Sequence, residues 1–208
     1  MTWLDRLRLS PLYHPLRPGA EWLELRRWNR RGRPVPVPHP VKRAAVRAYA
    51  RRYRRRVFIE TGTYLATMLL EERTTFERLY SIELEPRLAA LARRRCARFD
   101  HITILEGDSA VLLPELLRSI GDPALFWLDA HRAGDLTARG PGSAPIQEEL
   151  TAVYALASAP VLLVDDAQLF TGAEGFPTLA DLGEQARSRD LAFQVADGIV
   201  RITPDAPA

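Results

Sequence analysis

A chain of 208 residues, 47% of them hydrophobic, is long enough to build one sizeable core, and a single globular domain is the default expectation. No apolar run approaches the roughly 20 residues that span a bilayer. Met1-Thr2-Trp3-Leu4-Asp5 lacks the charged start and apolar run of a signal peptide, so a cytoplasmic protein is expected. The single Cys96 excludes an internal disulfide, agrees with a reducing compartment, and reads as a structural thiol within Arg93-Arg94-Arg95-Cys96. The net charge of +3 hides an asymmetry. Residues 1–56 hold 16 of the 29 Lys+Arg against Asp5, Glu21 and Glu24, hence +13, and the remainder holds 13 against 23, hence −10. A leader so basic could meet nucleic acid, an anionic membrane surface or an acidic substrate. Its cations are interleaved with Trp22, Leu23, Leu25, Trp28, Val46, Tyr49 and Tyr53, which favours packing against the acidic body of the same chain.

In chain order, Pro11, Pro15 and Pro18 are expected to break the start, with a helix over Ala20–Asn29. The run Pro34-Val35-Pro36-Val37-Pro38-His39-Pro40 reads as a stiff extended connector. Helical spacing from Val41 to Tyr53 follows, with Pro40 at a first helical position. From Val57 onward short apolar runs alternate with helical patterns. The runs are Val57–Ile59, Leu79–Ile82, Ile102–Leu105, Ala124–Leu128 and Val161–Val164. The helices between and after them are Tyr64–Glu72, Pro86–Phe99, Ser109–Ile120, Ile146–Ser158 and Thr178–Arg187. Near-continuous apolar strands separated by helices predict an α/β, doubly wound, mostly parallel sheet covered on both faces. Leu191–Val195 and Ile199–Ile202 flank Asp197-Gly198, a strong hairpin signal because a type I′ turn needs positive φ at both positions. The predicted organisation is a basic helical and proline-rich extension over 1–56, packed on a core domain over 57–208.

Each strand end delivers polar residues to one rim, where open parallel sheets bind ligands. The first gives Glu60-Thr61-Gly62-Thr63-Tyr64-Leu65-Ala66, the second Glu83-Leu84-Glu85-Pro86, and the third Glu106-Gly107-Asp108-Ser109. The fourth gives Asp129-Ala130-His131 and the fifth Asp165-Asp166. Gly62 lacks the further glycines of a dinucleotide fingerprint, which argues against a pyrophosphate. Glu83, about 20 residues past the glycine turn, is placed to accept hydrogen bonds from both hydroxyls of a ribose. The bland alternative is that these acids cap helix N-termini.

The layout resembles class I S-adenosylmethionine-dependent methyltransferases, whose seven-stranded sheet closes with an antiparallel hairpin. Within them it is most similar to the cation-dependent small-molecule O-methyltransferases of the catechol and macrocin types. The Glu-x-Gly-x-x-x-Gly turn of that group stands as Glu60 to Ala66, with Ala66 in place of the last glycine, and the Ile-Glu-x-x-Pro motif as Ile82 to Pro86. The resemblance covers about residues 57–203. It implies that Glu60 and Gly62 hold the amino-acid end of S-adenosylmethionine, that Thr61, Thr63 and Tyr64 join the cofactor contacts, and that Glu83 takes the ribose. Leu84 would pack on adenine, and Asp108 and Ser109 would address its edge. Asp129 would join the cofactor contacts and, with His131, the catalytic pair.

The same resemblance implies Mg²⁺ on Asp129, Asp165 and Asp166. A hard cation with open positions lowers the pKa of a bound hydroxyl and fixes its place. His131, with an ordinary pKa near 6.5, suits the base that removes the hydroxyl proton, and Arg132 stands where the catechol enzyme has a lysine. The Gly/Pro/Ala-rich stretch Arg132–Pro145 reads as a lid or binding loop, and Arg132 and Arg139 could receive an anionic group of the acceptor. The expected activity is O-methylation of a small molecule or sugar.

Nucleic acid is disfavoured as the acceptor, because Asp129-Ala130-His131-Arg132 stands where amino-methylating enzymes carry Asn/Asp-Pro-Pro-aromatic, and no Pro-Cys nucleophile is present. Two other readings are a scaffold that kept the fold after losing turnover and a nicotinamide-dependent oxidoreductase. The leader could also hold a partner subunit, as in a homodimer.

Overall fold

A computed structural model describes residues 13–121, 123–129 and 145–205. Its sheet has seven strands in the order β3-β2-β1-β4-β5-β7-β6. These are β1 Val57–Thr61, β2 Arg78–Glu83, β3 Ile102–Glu106, β4 Ala124–Leu128, β5 Val161–Val164, β6 Leu191–Ala196 and β7 Ile199–Pro204. The helices are α1 Tyr13–Arg30, α2 His39–Arg52, α3 Thr67–Glu72, α4 Pro86–Cys96, α5 Ser109–Ser119, α6 Ile146–Leu156 and α7 Leu179–Arg187. The first five strands are parallel, and β7 runs antiparallel to both β5 and β6. The expected α/β sheet with a terminal hairpin is therefore present, and Asp197 and Gly198 both take positive φ, 48° and 65°.

Successive strand residues point to opposite faces, so the continuous apolar strands feed two cores. Val57 and Ile59, Phe126 and Leu128, Leu162 and Val164 face one core, closed by Leu113 and Leu117 of α5, Leu150 and Val153 of α6, and Leu182 of α7. Phe58, Leu125 and Trp127, Val161 and Leu163 face the other, closed by Val46 and Ala50 of α2, Leu69 of α3, and Ala89 and Ala92 of α4. The basic leader thus supplies one of the helices that cover the sheet. Tyr53 just past α2 is 2% exposed and donates its hydroxyl to the Pro204 carbonyl at the far end of the chain, 3.2 Å away.

Several boundaries differ from expectation for physical reasons. Helix α1 begins at Tyr13 and runs through Pro18 rather than starting after it. The lost N–H bond is offset by charge: Arg17 pairs with Glu21 and Glu71, and Arg43 with the same two acids. Helix α3 starts at Thr67 and not at Tyr64, because Tyr64 and Ala66 hold left-handed conformations, φ 48° and 54°, that no helix can include. Strand β1 continues two residues past Ile59, carrying Glu60 and Thr61 into the sheet. Among the described residues no helix is long and apolar enough to cross a membrane.

Candidate functional site

Register assembles the rim. Glu60 stands opposite Ser81, Thr61 opposite both Ile82 and Leu128, and Leu128 opposite Val164. The residue after each strand then bonds the neighbouring strand's end: Gly62 N–H to Ile82 O at 2.9 Å, Gly107 N–H to Glu83 O at 2.9 Å, and Asp165 N–H to Leu128 O at 2.9 Å. Glu60, Glu83, Asp129 and Asp165 consequently emerge side by side. A cleft of about 190 Å³ opens here, lined by His39, Lys42, Glu60, Gly62, Tyr64, Trp127, Asp129 and Asp165, among others. A larger hollow of about 380 Å³ under α1 shares His39, Leu65 and Thr67 with it.

On the β1–β2 side the acids are held locally. One Glu83 oxygen accepts the Tyr64 N–H at 2.8 Å and the other the Glu85 N–H at 3.0 Å, so the carboxylate is clamped at the turn. Glu60 accepts the Ser81 hydroxyl at 2.8 Å, and Ser81 is itself 2.6 Å from the Thr63 hydroxyl. Burial pushes the Glu60 carboxyl up to about 8, with Asp129 and Glu83 adding to the rise and the Ser81 hydroxyl opposing it. Gly62 takes φ +83°, and a Cβ there would meet the Asp129 Cβ at 3.1 Å, so glycine is required twice over. Leu84 and Tyr64 are large apolar side chains left 41% and 45% exposed beside Glu83.

On the β4–β5 side Asp129, Asp165 and Asp166 each bring a carboxylate oxygen within 4.8 Å of the others. Asp166 sits in the left-handed region at φ 55° and accepts the Gln168 side-chain amide at 2.9 Å. One Asp165 oxygen accepts the Asp166 N–H at 2.9 Å, and the other is ion-paired with the Lys42 ammonium, which reaches in from α2. Burial and the neighbouring Asp166 raise the Asp165 carboxyl above its ordinary value, and Lys42 opposes the rise.

Asp108 and Ser109 turn partly to structural work: Asp108 caps α5 by accepting the Ala110 N–H at 3.0 Å, and Ser109 donates to Glu149. Glu149, on α6, is a site residue that the sequence reading missed. It is 3% exposed and accepts the Thr61 hydroxyl at 3.3 Å. Burial pushes it up to about 7, with the Ser109 and Thr61 hydroxyls opposing and Asp129 and Asp108 adding. Its signal was an acid on the apolar stripe of Ile146, Leu150 and Val153. Lys42 was also missed as a cleft residue; His39, which its place in the proline run argues against, lines the cleft and contacts Glu71 at 3.1 Å. His131, Arg132, Arg139 and the expected lid over Arg132–Pro145, up to residue 144, lie outside the described residues.

This strand order, with its terminal antiparallel pair, is the fold of the S-adenosylmethionine-dependent methyltransferases. Among solved structures the chain is similar to the O-methyltransferase TomG from Streptomyces achromogenes in complex with SAM: TM-score 0.57, 19% identity, 80% of this chain and 79% of that one. An O-methyltransferase from Bacillus cereus in complex with SAH gives TM-score 0.55 and 13% identity over 86% and 88%. The precorrin-6y C5,15-methyltransferase from Geobacter metallireducens gives TM-score 0.52 and 17% identity over 77% and 85%. No family model matches the chain, and no curated protein matches its sequence. At these identities the likeness is one of fold, and two O-methyltransferases beside a C5,15-methyltransferase leave the acceptor open.

Proposed function

We propose that the chain is an S-adenosylmethionine-dependent methyltransferase that methylates a hydroxyl of a small molecule or sugar. The observation that carries this reading is the clamped Glu83 carboxylate beside the Gly62 turn, with exposed Leu84 next to it. A carboxylate so oriented suits a ribose diol, and Leu84 with Tyr64 suits the faces of a base. Glu60, buried and raised to about 8, suits the ammonium of the methionine end, which would draw off its proton on binding. In the transfer the carbon–sulfur bond of the sulfonium breaks as the new carbon–oxygen bond forms, the sulfonium becomes a thioether, and the hydroxyl proton leaves the oxygen. His131 is proposed as the base that takes this proton, with Asp129 orienting the acceptor.

Mg²⁺ would be held by Asp129, Asp165 and Asp166. The oxygen donor set suits a hard cation, but the Lys42 ammonium already occupies one oxygen of Asp165, so that oxygen does not fit a divalent ion and no step is routed through one.

Calorimetry with S-adenosylhomocysteine tests the reading. Glu83→Ala is expected to weaken binding by about 1–3 kcal/mol, the cost of leaving hydroxyls unpaired. No binding to the native chain overturns it. A second reading, a nucleic-acid acceptor, draws on Arg26, Arg27, Arg30 and Arg31, all exposed on or beside α1 around Trp22 at 57% exposure. Salt-dependent retention of RNA, lost when those arginines become glutamine, would favour it.

A further inference from the structure

Three carboxylates are crowded at the ends of β4 and β5, and like charges this close need a counter-charge. The structure supplies one from α2. The Lys42 side chain is 18% exposed, and its ammonium is ion-paired with an Asp165 carboxylate that is itself 4% exposed. Both oxygens of Asp165 are then engaged, one by Lys42 and one by the Asp166 N–H. A Mg²⁺ ion binds oxygen at about 2.0–2.1 Å and demands near-octahedral geometry, so an ion on that oxygen would face a fixed positive charge across the same carboxylate.

The amino-acid choice points the same way. The chain carries 29 Lys+Arg, and Lys42 is the single lysine among them. Every other cation is a planar guanidinium, which grips carboxylates as a fork; an ammonium is a compact point charge with three rotatable donors. The one position with the compact cation is the position that enters the carboxylate cluster. The leader arginines nearby use several donors at once: Arg43 forks onto Glu21 and places one N–H on Glu71, and Arg47 donates to both oxygens of Glu72 and to the Glu71 carbonyl.

We propose that Lys42 is the resident cation of the Asp129–Asp165–Asp166 cluster and takes the place of a divalent metal, so that the native chain needs none. Its chemical meaning rests on the methyl-transfer reading of the cleft: an ammonium held by the leader supplies the positive charge beside the acceptor oxygen. The ion measurement itself does not depend on that reading.

The test is Mn²⁺ binding to the full chain, followed by electron paramagnetic resonance. Native protein is expected to show no binding up to millimolar Mn²⁺. Lys42→Met and Lys42→Gln should each gain at least tenfold in affinity, and adding Asp165→Asn should abolish the gain. Micromolar binding by the native chain, or a folded Lys42→Met that gains nothing, overturns the proposal. Should both variants unfold, the single lysine still allows a decision. In native protein labelled with [¹⁵N]lysine, the one side-chain amine signal should persist in stoichiometric Mn²⁺, and its loss by paramagnetic broadening overturns the proposal. S-adenosylhomocysteine calorimetry on the same samples separates the two failures: an absent cofactor site leaves the Mn²⁺ result unchanged.

Discussion

The two sides of the rim hold their acids by different means. Beside β1 and β2 the partners are near in sequence: Glu83 is clamped by backbone N–H groups 19 and 2 residues away, and Glu60 by a hydroxyl 21 residues away. Beside β5, Asp165 is neutralised by a lysine 123 residues earlier. The pattern extends to α3, where Glu71 and Glu72 take their counter-charges from Arg17, Arg43 and Arg47 of the leader. One half of the site is built by its own strands and turns, and the other is finished by the first helices of the chain.

The sharpest break between the halves is expected in pH dependence. Glu60 keeps a proton in the folded protein up to about 8, whereas the unfolded chain loses it near 4.5. Folding therefore takes up a proton between those values. This contribution is complete below pH 4.5 and is lost as pH rises through 8, with a slope approaching about 1.4 kcal/mol per pH unit for one proton. Glu149, raised to about 7, acts in the same direction over a narrower window. Urea unfolding across this range should show stability falling with pH, and Glu60→Gln should flatten the upper part of the curve. An unchanged slope would mean that water reaches Glu60.

Next in size is the leader's hold on α3. Glu72 is fully buried and receives Arg47 at 2.8 and 3.1 Å, whereas Arg47 is 39% exposed. Arg47→Ala strands a buried carboxylate and should cost about 3 kcal/mol, while Glu72→Gln leaves an arginine that water can reach and should cost clearly less. Equal losses in chemical denaturation would contradict this asymmetry.

The smallest effect belongs to the β1 turn. Ala66 is buried in the left-handed region at φ 54°. Glycine would relieve about 1–2 kcal/mol of strain and forfeit roughly 0.8 kcal/mol of methyl burial. Ala66→Gly should therefore leave thermal stability unchanged or slightly raised, and a fall of several degrees would show that the methyl matters more than the backbone.

The same contrast explains what was legible in the sequence. Strand cores, the hairpin and the rim acids follow from apolar runs and strand-end positions, which are local properties. The α3 boundary was misread because Tyr64 and Ala66 give no compositional hint of positive φ. Glu149 was overlooked although its place on an apolar stripe marked it. Lys42 could not be assigned to the cleft, because spacing along the chain says nothing of a contact 123 residues distant. The helix through Pro18 was hidden for the same reason, since the Arg43 that pairs with its Glu21 lies on a different helix.

The hairpin turn carries a consequence for how the protein is made. A Cβ on Gly198 would lie 2.7 Å from Val37 and 3.4 Å from Val35, Arg33 pairs with Asp197 at 3.0 Å, and Tyr53 bonds Pro204. The stretch around Arg33 is therefore seated on a hairpin 164 residues further along the chain. Until β6 and β7 have been made, α2 and the proline run lack the surface they dock on, so these contacts of long sequence separation close late in folding.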